Sequence, residues 1–390
     1  MLVQQADVIR PKMKELERFD SCSQYAVDLL TDAFEKASIK EQTDVTSIST
    51  KCMAADVYRV RLNKSGYSSS VIAKLPNNKY IEHNYTCFNK LNNQFNEKDL
   101  EQRIERNTKC VFELHNREIL VYRYSTLNFK EGIKIPQFYF GDFAQENSEK
   151  QEILLIEDFT DLCEQNDNLT LNVRQVEQVI DELCKLQVET SQDADLEKTF
   201  PLLNSQIEAM SRCILMSVSL FSRRRLPWFT HNMLRKIQAN ALLPNLESLI
   251  LTTGTDIKVL CHNDLEPRNL LWQKGSEGLH LLSIIDWQSA HAGNLVTDLA
   301  TLLSVNLDAD ERKNSEMELL RRFVQKWNQA SSRKLSLAEI EIMYREALKY
   351  GMLKLLIVLV TNPEADEINE QFPNGRLTTR LKGLIEDVFG

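Results

Sequence analysis

Val259-Leu260-Cys261-His262-Asn263-Asp264-Leu265-Glu266-Pro267-Arg268-Asn269-Leu270-Leu271-Trp272, followed by Leu281-Leu282-Ser283-Ile284-Ile285-Asp286-Trp287-Gln288, is the stretch on which the reading of this chain turns. In each half an apolar run ends in a polar cluster, the pattern of a short buried strand that delivers a carboxylate to its own end. Asp286 lies 22 residues beyond Asp264, room for one hairpin with Gly275-Ser276-Glu277-Gly278 as its turn. Asn269, five residues after Asp264, is near enough to fold back over it. Phosphoryl transfer from a nucleotide needs this set of groups. One carboxylate takes or orients the proton of the acceptor hydroxyl, while a second carboxylate and an amide oxygen hold Mg²⁺, a hard cation that prefers oxygen. Asp264 fits the first role, and Asn269 and Asp286 fit the second.

Outward from this stretch, the period of the apolar residues sets the organisation. Residues 21–37 read as a helix with Tyr25, Leu29, Leu30, Ala33 and Phe34 on one face. Residues 57–62 alternate in type and residues 70–75 form a short apolar run, which predicts two strands joined by a turn at Gly66. Helices are expected over 97–106 and 111–124, and extended segments over 138–142 and 153–157. After Asp158 the pattern is mostly helical. Val173, Val176, Val179, Ile180, Leu183 and Leu186 mark one apolar face, and further helices are expected over 202–221 and 231–251. Two strands, 257–261 and 279–285, interrupt them before the helical C-terminus. Strand runs segregated from helix runs predict an α+β protein that changes character near Glu157.

Composition narrows the function classes. The chain has 390 residues, with 47 Lys and Arg against 56 Asp and Glu, and a formal net charge of −9. That balance excludes a polyanion-binding surface spread over the whole protein, and no nucleic-acid partner is expected. The longest apolar run, Leu355 to Val360, is far short of the ~20 residues of a transmembrane helix, so no membrane span is expected. Gln4, Gln5 and Asp7 fall where a secretory leader needs an apolar core. The eight cysteines, at 22, 52, 87, 110, 163, 184, 213 and 261, show no C-x-x-C or other zinc-like spacing. They read as reduced, mostly buried thiols, and the expected location is cytoplasmic. The sequence sets no oligomeric state.

The pattern His262-x-Asp264-x4-Asn269 followed by Ile284-Ile285-Asp286 resembles the aminoglycoside-phosphotransferase and choline-kinase branch of the protein-kinase-like fold. With His291-x-Gly293-Asn294-x3-Asp298-Leu299-Ala300 added, it is similar to the ecdysteroid-kinase-like, or choline-kinase-like (CHK), group of insects and nematodes. The resemblance runs from about Thr46 to the C-terminal helices. It implies a bilobal fold, with a small antiparallel-sheet lobe over residues 1–157 that binds nucleotide. A larger, mainly helical lobe over 158–390 would carry catalysis and the substrate. It also implies ATP- and Mg²⁺-dependent phosphorylation of a hydroxyl on a small molecule, either a steroid-like alcohol or a choline-type amino alcohol. In that frame Asp264 is the catalytic base, His262 and Asp298 brace its loop, and Asn269 and Asp286 bind the metal. Val71-Ile72-Ala73-Lys74 matches the strand whose Lys74 contacts phosphate, and His115-Asn116-Arg117-Glu118-Ile119 supplies its partner Glu118. Leu154 to Phe159 matches the connection between lobes, where adenine pairs with backbone groups around Glu157 and Phe159.

Two departures accompany the resemblance. The phosphate-covering turn falls at residues 49–56 and holds no glycine, although a missing Cβ is what lets backbone N–H groups approach phosphate closely. The hydroxyls of Ser49 and Thr50 are the candidate substitutes, and a pseudokinase, a nucleotide-poor binding or scaffold protein, is the alternative. Glu266 and Arg268 stand where relatives often carry an aromatic and a small residue. Arg268 either contacts phosphate or substrate or pairs with Glu266. A protein kinase is disfavoured, because Ala-Pro-Glu is absent and twelve residues from Asp286 to Asp298 leave little room for a peptide platform. Trp287 beside Asp286 is a candidate pocket residue, residues 207–221 are a candidate apolar wall, and Arg223-Arg224-Arg225 reads as a helix-end cluster.

Overall fold

The computed structural model describes residues 44–49, 55–64, 67–77, 86, 96–129, 132–144, 152–164, 170–251, 255–362 and 366–390. The helix expected over 21–37 and Thr50 of the expected phosphate turn lie outside the described residues, and of Ser49 only the backbone is described. The chain forms two compact units, Met1–Ile119 with Gln137–Asp158, and Leu120–Pro136 with Phe159–Gly390.

The first unit is built on a five-stranded antiparallel sheet of order β1-β2-β3-β5-β4. Its strands are β1 (Asp44–Ser49), β2 (Ala55–Lys64), β3 (Tyr67–Pro76), β4 (Phe138–Gly141) and β5 (Leu154–Glu157). The period-two pattern explains the pairing. Val60, Val71, Ala73, Leu75, Ile153 and Leu155 form one buried cluster, with Tyr58 and Phe140 against it. Lys74, out of phase with Ala73 and Leu75, projects from the opposite face of β3. Helix α1 (Glu97–Asn128) is one 32-residue helix where the sequence predicts two. The polar residues that interrupt its apolar period do not break it, and Asn107 and Thr108 satisfy their side-chain donors within the helix, on the carbonyls of Arg103 and Ile104.

The second unit is mainly helical. Helix α2 (Val173–Thr190) starts in a reciprocal cap between Asn172 and Gln175 and buries the predicted apolar face. Three helices follow, α3 (Leu196–Thr199), α4 (Asn204–Ser222) and α5 (His231–Ala241). Next comes α6 (Leu243–Leu251). The single helix predicted over 231–251 is thus two. Leu242 is extended, with ψ 144°, and Pro244 has no N–H with which to continue the α5 ladder. Strand β6 (Lys258–Cys261) pairs antiparallel with β9 (His291–Asn294). Strands β7 (Leu270–Gly275) and β8 (Gly278–Ile284) form the predicted hairpin around Ser276-Glu277, and Gly278 takes a φ of 118°.

Helices α7 (Thr297–Asn306), α8 (Ala309–Ala330), α9 (Leu337–Thr361) and α10 (Arg376–Phe389) complete the unit. Every residue of α7 is buried, because α9 and its neighbours enclose it. Trp272, Trp287 and Trp327 are among the largest fully buried side chains, so they belong to the core. Among the described residues no helix is long and apolar enough to cross a membrane. The five described cysteines, Cys110, Cys163, Cys184, Cys213 and Cys261, are free thiols, three of them buried.

The close approach of α9 to α7 is set at Gly351. A Cβ there would lie 2.9 Å from the carbonyl oxygen of Ala300 and would also strike Ser304 Oγ. Alanine in a helix is worth about 1 kcal/mol over glycine, whereas overpacking a core costs about 1–3 kcal/mol. Because the obstacles include the backbone oxygen of Ala300 as well as Ser304, the clash wins. Gly351→Ala is expected to lower the melting temperature by several degrees in a thermal unfolding scan, against the rise seen at an exposed helical glycine.

Candidate functional site

In the first unit, Lys74 Nζ donates to Glu118 Oε1 at 2.7 Å, and both side chains are buried. Strand β3 supplies the lysine and α1 the glutamate, the pairing expected from the sequence. A charge pair out of water holds only if both members stay, since removing one leaves an uncompensated charge at a cost of about 3–5 kcal/mol. His115, one turn before Glu118, donates from Nε2 to the Asp142 carbonyl at 3.2 Å. Burial, with the Lys74 charge adding to it, pulls its imidazole down to about 4, so it is neutral at physiological pH.

In the second unit the catalytic-loop motif follows β6. Asn263 takes φ 67°, the left-handed region, where a short polar side chain is better tolerated than most. That turn aims the N–H groups of His262 and Asn263 at one carboxylate. His262 donates to Asp298 Oδ2 at 2.6 Å and Asn263 to Asp298 Oδ1 at 2.8 Å. The His262 ring is fully buried and hydrogen-bonded on both sides. Its Nδ1 accepts from the Asp264 N–H at 3.1 Å, and its Nε2 donates to the Ile285 carbonyl at 2.9 Å. Trp287 packs edge-on at 4.4 Å between ring centroids and donates to the Ile284 carbonyl, so it is a core residue and not the pocket residue considered from the sequence.

Asn269 Nδ2 donates to the Asp264 carbonyl at 2.8 Å and to Asp264 Oδ2 at 3.1 Å, the fold-back predicted from their spacing. The Ile285 N–H donates to the Asn269 carbonyl at 3.0 Å. The end of β8 is therefore tied to the loop on both sides, immediately before Asp286. Asp286 itself has φ 67°, is half-buried and accepts from Gln288 Nε2 at 3.2 Å. His262, Asp264, Asn269 and Asp286 are thus brought together through short, mostly backbone links. Of the residues expected around adenine, Glu157 is engaged by Gln137, whose carbonyl takes the Glu157 N–H at 2.9 Å. The Phe159 carbonyl accepts from Leu162 and Cys163.

The sequence did not point to Lys354 and Tyr350 of α9. Lys354 Nζ donates to Asp264 Oδ1 at 2.7 Å, and the Tyr350 hydroxyl donates to Asn263 Oδ1. Both side chains are buried. The available signal was a single charge inside the apolar run Met352-Leu353-Lys354-Leu355-Leu356, at a helix position that has no water to face. Burial alone would raise the Asp264 carboxyl, but the Lys354 ammonium overrides it and holds Asp264 down at about 2. Glu266 behaves oppositely. Burial and the neighbouring Asp264 push it up to about 7, although Arg268 pairs with it at 2.7 Å. Of the two options for Arg268, the structure contains the salt bridge. Among the described residues no group of three or more His, Cys, Asp or Glu is clustered to hold a metal. A cation at this site would rely on one carboxylate and one amide, plus ligands of its own.

The family model described as "Uncharacterized oxidoreductase dhs-27" (DUF1679) matches residues 82–390 of the chain. A Caenorhabditis elegans protein named "Uncharacterized oxidoreductase dhs-27" is 33% identical over 132 residues, 30% of this chain and 16% of that protein. This chain therefore spans only a small part of that relative's length. Among solved structures, the GDP complex of aminoglycoside 2'-phosphotransferase-IIIa superposes with a TM-score of 0.50 at 12% identity, covering 94% of this chain and 99% of the other. A Ralstonia eutropha protein assigned as an aminoglycoside phosphotransferase gives a TM-score of 0.51 at 10% identity, covering 93% and 98%. The expected α+β, protein-kinase-like fold is thereby found.

The charge pair at Asp264 has a pH signature. An unfolded aspartate titrates near 3.9, so between about pH 4 and pH 2 the native state binds fewer protons than the unfolded one. The contribution of Asp264 to stability is present above that window and is lost as pH falls through it. Urea unfolding at a series of pH values is expected to show a steeper acid loss in the wild type than in Asp264→Asn. The variant is expected to start lower at neutral pH, where Lys354 has lost its counter-charge.

Proposed function

The chain belongs to the DUF1679 family, and on that premise we propose that it is an ATP- and Mg²⁺-dependent phosphotransferase acting on a hydroxyl of a small molecule. The observation that carries this reading is the assembly of Asp264, Asn269 and Asp286 around one pinned left-handed turn. The donor set suits Mg²⁺. Asn269 turns its amide nitrogen to Asp264, which leaves Oδ1 as its hard donor, and Asp286 adds a half-buried carboxylate. Held by Asn269 and Asp286, Mg²⁺ would supply positive charge against the negative charge that develops on the transferring phosphoryl group. Lys74, kept in place by Glu118 within the first unit, is the lysine that the resemblance assigns to nucleotide phosphate.

Asp264 would receive the acceptor hydroxyl. A carboxyl held at about 2 is ionised at neutral pH and is a weak base. Its role is to orient the hydroxyl and accept its proton late, as the new P–O bond forms, which suits a loose transition state. His262 does not meet the reactants. It fixes the Asp264 N–H and the Ile285 carbonyl, and so positions the two carboxylates. The word oxidoreductase in the relative's name belongs to a protein of which the match covers 16%. The described sheet of the first unit is antiparallel throughout, unlike the parallel sheet that carries a dinucleotide fingerprint.

Two measurements test the proposal. Thermal unfolding with ATP and Mg²⁺ is expected to show a rise that needs both, and Asp286→Ala is expected to abolish it. Ligand at 100 times its Kd stabilises the native state by about 2.7 kcal/mol. No rise at millimolar ATP in folded protein would favour the scaffold reading raised by the glycine-free turn. On an acceptor found by screening alcohols with labelled ATP, Asp264→Asn is expected to lower kcat by about 10²–10⁴-fold. Full activity in that variant would refute Asp264 as the base.

A further inference from the structure

We infer that the helical hairpin of α4 and α5 is a docking surface for an anionic lipid bilayer, lying on the membrane without spanning it. The inference stands apart from the phosphotransferase reading and begins in the sequence. Between Glu208 and Glu247 the chain has no Asp or Glu, and it places there Arg212, Arg223, Arg224, Arg225, Arg235 and Lys236. At the chain's average of 56 acidic residues in 390, a stretch of this length would hold about five. A protein of net charge −9 thus gathers cations and excludes acids along one stretch.

That stretch folds into most of α4, the turn after it, α5 and the start of α6. Ser211 Oγ donates to the Ala241 carbonyl at 2.6 Å, so α5 returns alongside α4. One face of α4 is buried through Ile207, Ile214, Val218 and Phe221. The opposite face carries Arg212, Met216, Leu220 and Arg223, spaced three or four apart, and Met216 and Leu220 are 56% and 40% exposed. Leu242 and Leu243 are exposed where α5 passes into α6. At the turn, Trp228 is half-buried against Phe221 and Phe229, next to the exposed Pro227. Apolar side chains bordered by arginine, with an indole at the edge, match the layers of a bilayer, acyl chain beneath headgroup. A nucleic-acid backbone would engage the arginines and leave Met216 and Leu220 in water.

The charge is uncompensated as well as concentrated. Arg212 pairs with Glu208, and Arg224 with Asp366. Among the described residues the side chains of Arg223, Arg225 and Arg235 meet no carboxylate, and Lys236 reaches the Phe389 carbonyl and ring. Acids of the adjoining loop and of α10 are engaged elsewhere, Glu367 with Arg376, Glu386 with Lys382 and Asp387 with Arg312. Setting Glu247 and Glu370 against these four cations still leaves the surface positive. A cation is favourable at a helix C-terminus, which accounts for Arg223. It does not account for Arg225, which takes φ 52° in a left-handed position where glycine is usual, nor for the missing acids.

The test is co-sedimentation of the full chain with vesicles of phosphatidylcholine alone, and with phosphatidylserine added to about 30%. Binding is expected to the mixed vesicles only, and to fall as salt rises from about 0.05 M to about 0.5 M. One Lys or Arg near an anionic surface contributes about fivefold in affinity, so Arg223→Gln/Arg225→Gln is expected to bind about 25-fold more weakly. Met216→Ser/Leu220→Ser is expected to lose about fivefold or more, since its apolar contact is gone. All four side chains are exposed, so both variants are expected to keep the wild-type melting temperature. Trp228 gives a second readout. The other three tryptophans are fully buried, so a blue shift of emission on mixed vesicles reports on this turn. Equal binding to both kinds of vesicle, binding to neither, or an unchanged affinity in either variant overturns the inference. So does tighter binding to poly-glutamate or to DNA than to mixed vesicles at the same salt, which would make the surface a dock for an acidic macromolecule.

Discussion

One buried carboxylate that accepts two successive backbone N–H groups organises the second unit. Asp298 binds the amides of His262 and Asn263. Those amides converge only because Asn263 is left-handed, a conformation that costs a non-glycine residue about 1–2 kcal/mol. Burial pushes the Asp298 carboxyl above its usual range, and the two donors limit that rise by favouring the charged form. The turn, once held, sets the direction of Asp264, and through the His262 ring it sets the end of β8 and the start of Asp286. Helix α7 carries Asp298 and is buried along its whole length, so the brace cannot move without the core.

Electrostatics at the loop follows from what α9 brings to it. Residues four apart on a helix share a face, and Tyr350 and Lys354 reach Asn263 and Asp264, which are adjacent in the loop. The close packing of α9 on α7 at Gly351 puts that face within reach. The result is a carboxylate that is buried yet ionised. Burial alone would have neutralised it, and the fixed ammonium reverses that outcome. The neighbouring Glu266, whose partner Arg268 is largely exposed to solvent, goes the other way. Two carboxyls so close together cannot both be easily ionised, and the better-placed cation decides which one is.

The particular elements show how far the sequence reaches. Period-two alternation in 57–62 and 70–75 found β2 and β3, and the two-glycine spacing found the β7–β8 hairpin. The fold-back of Asn269 onto Asp264 was also legible, because it depends on a short loop beside a clear pattern, whereas the Lys74–Glu118 pair, 44 residues apart, came from the family resemblance alone. Breaks were less legible. The polar stretch inside α1 reads as an interruption, yet the helix runs through it. The run 231–251 reads as continuous until Pro244 ends one helix and opens the next. Trp287 looked available from its place beside Asp286, yet it is sealed against His262.

What the sequence by itself determined is the set of groups whose geometry is local. These are the strand-end carboxylates, the amide five residues on, the hairpin between them and the segregation of strands from helices. Short-range periodicity and turn chemistry carry that information directly. Only the tertiary structure decided the charge state of the site. Lys354 lies 90 residues from Asp264 along the chain, and nothing in a one-dimensional pattern says which buried lysine meets which carboxylate. That choice is made by the packing of α9 on α7, where the absence of a side chain at Gly351 lets two helices close and places an ammonium where water would otherwise be.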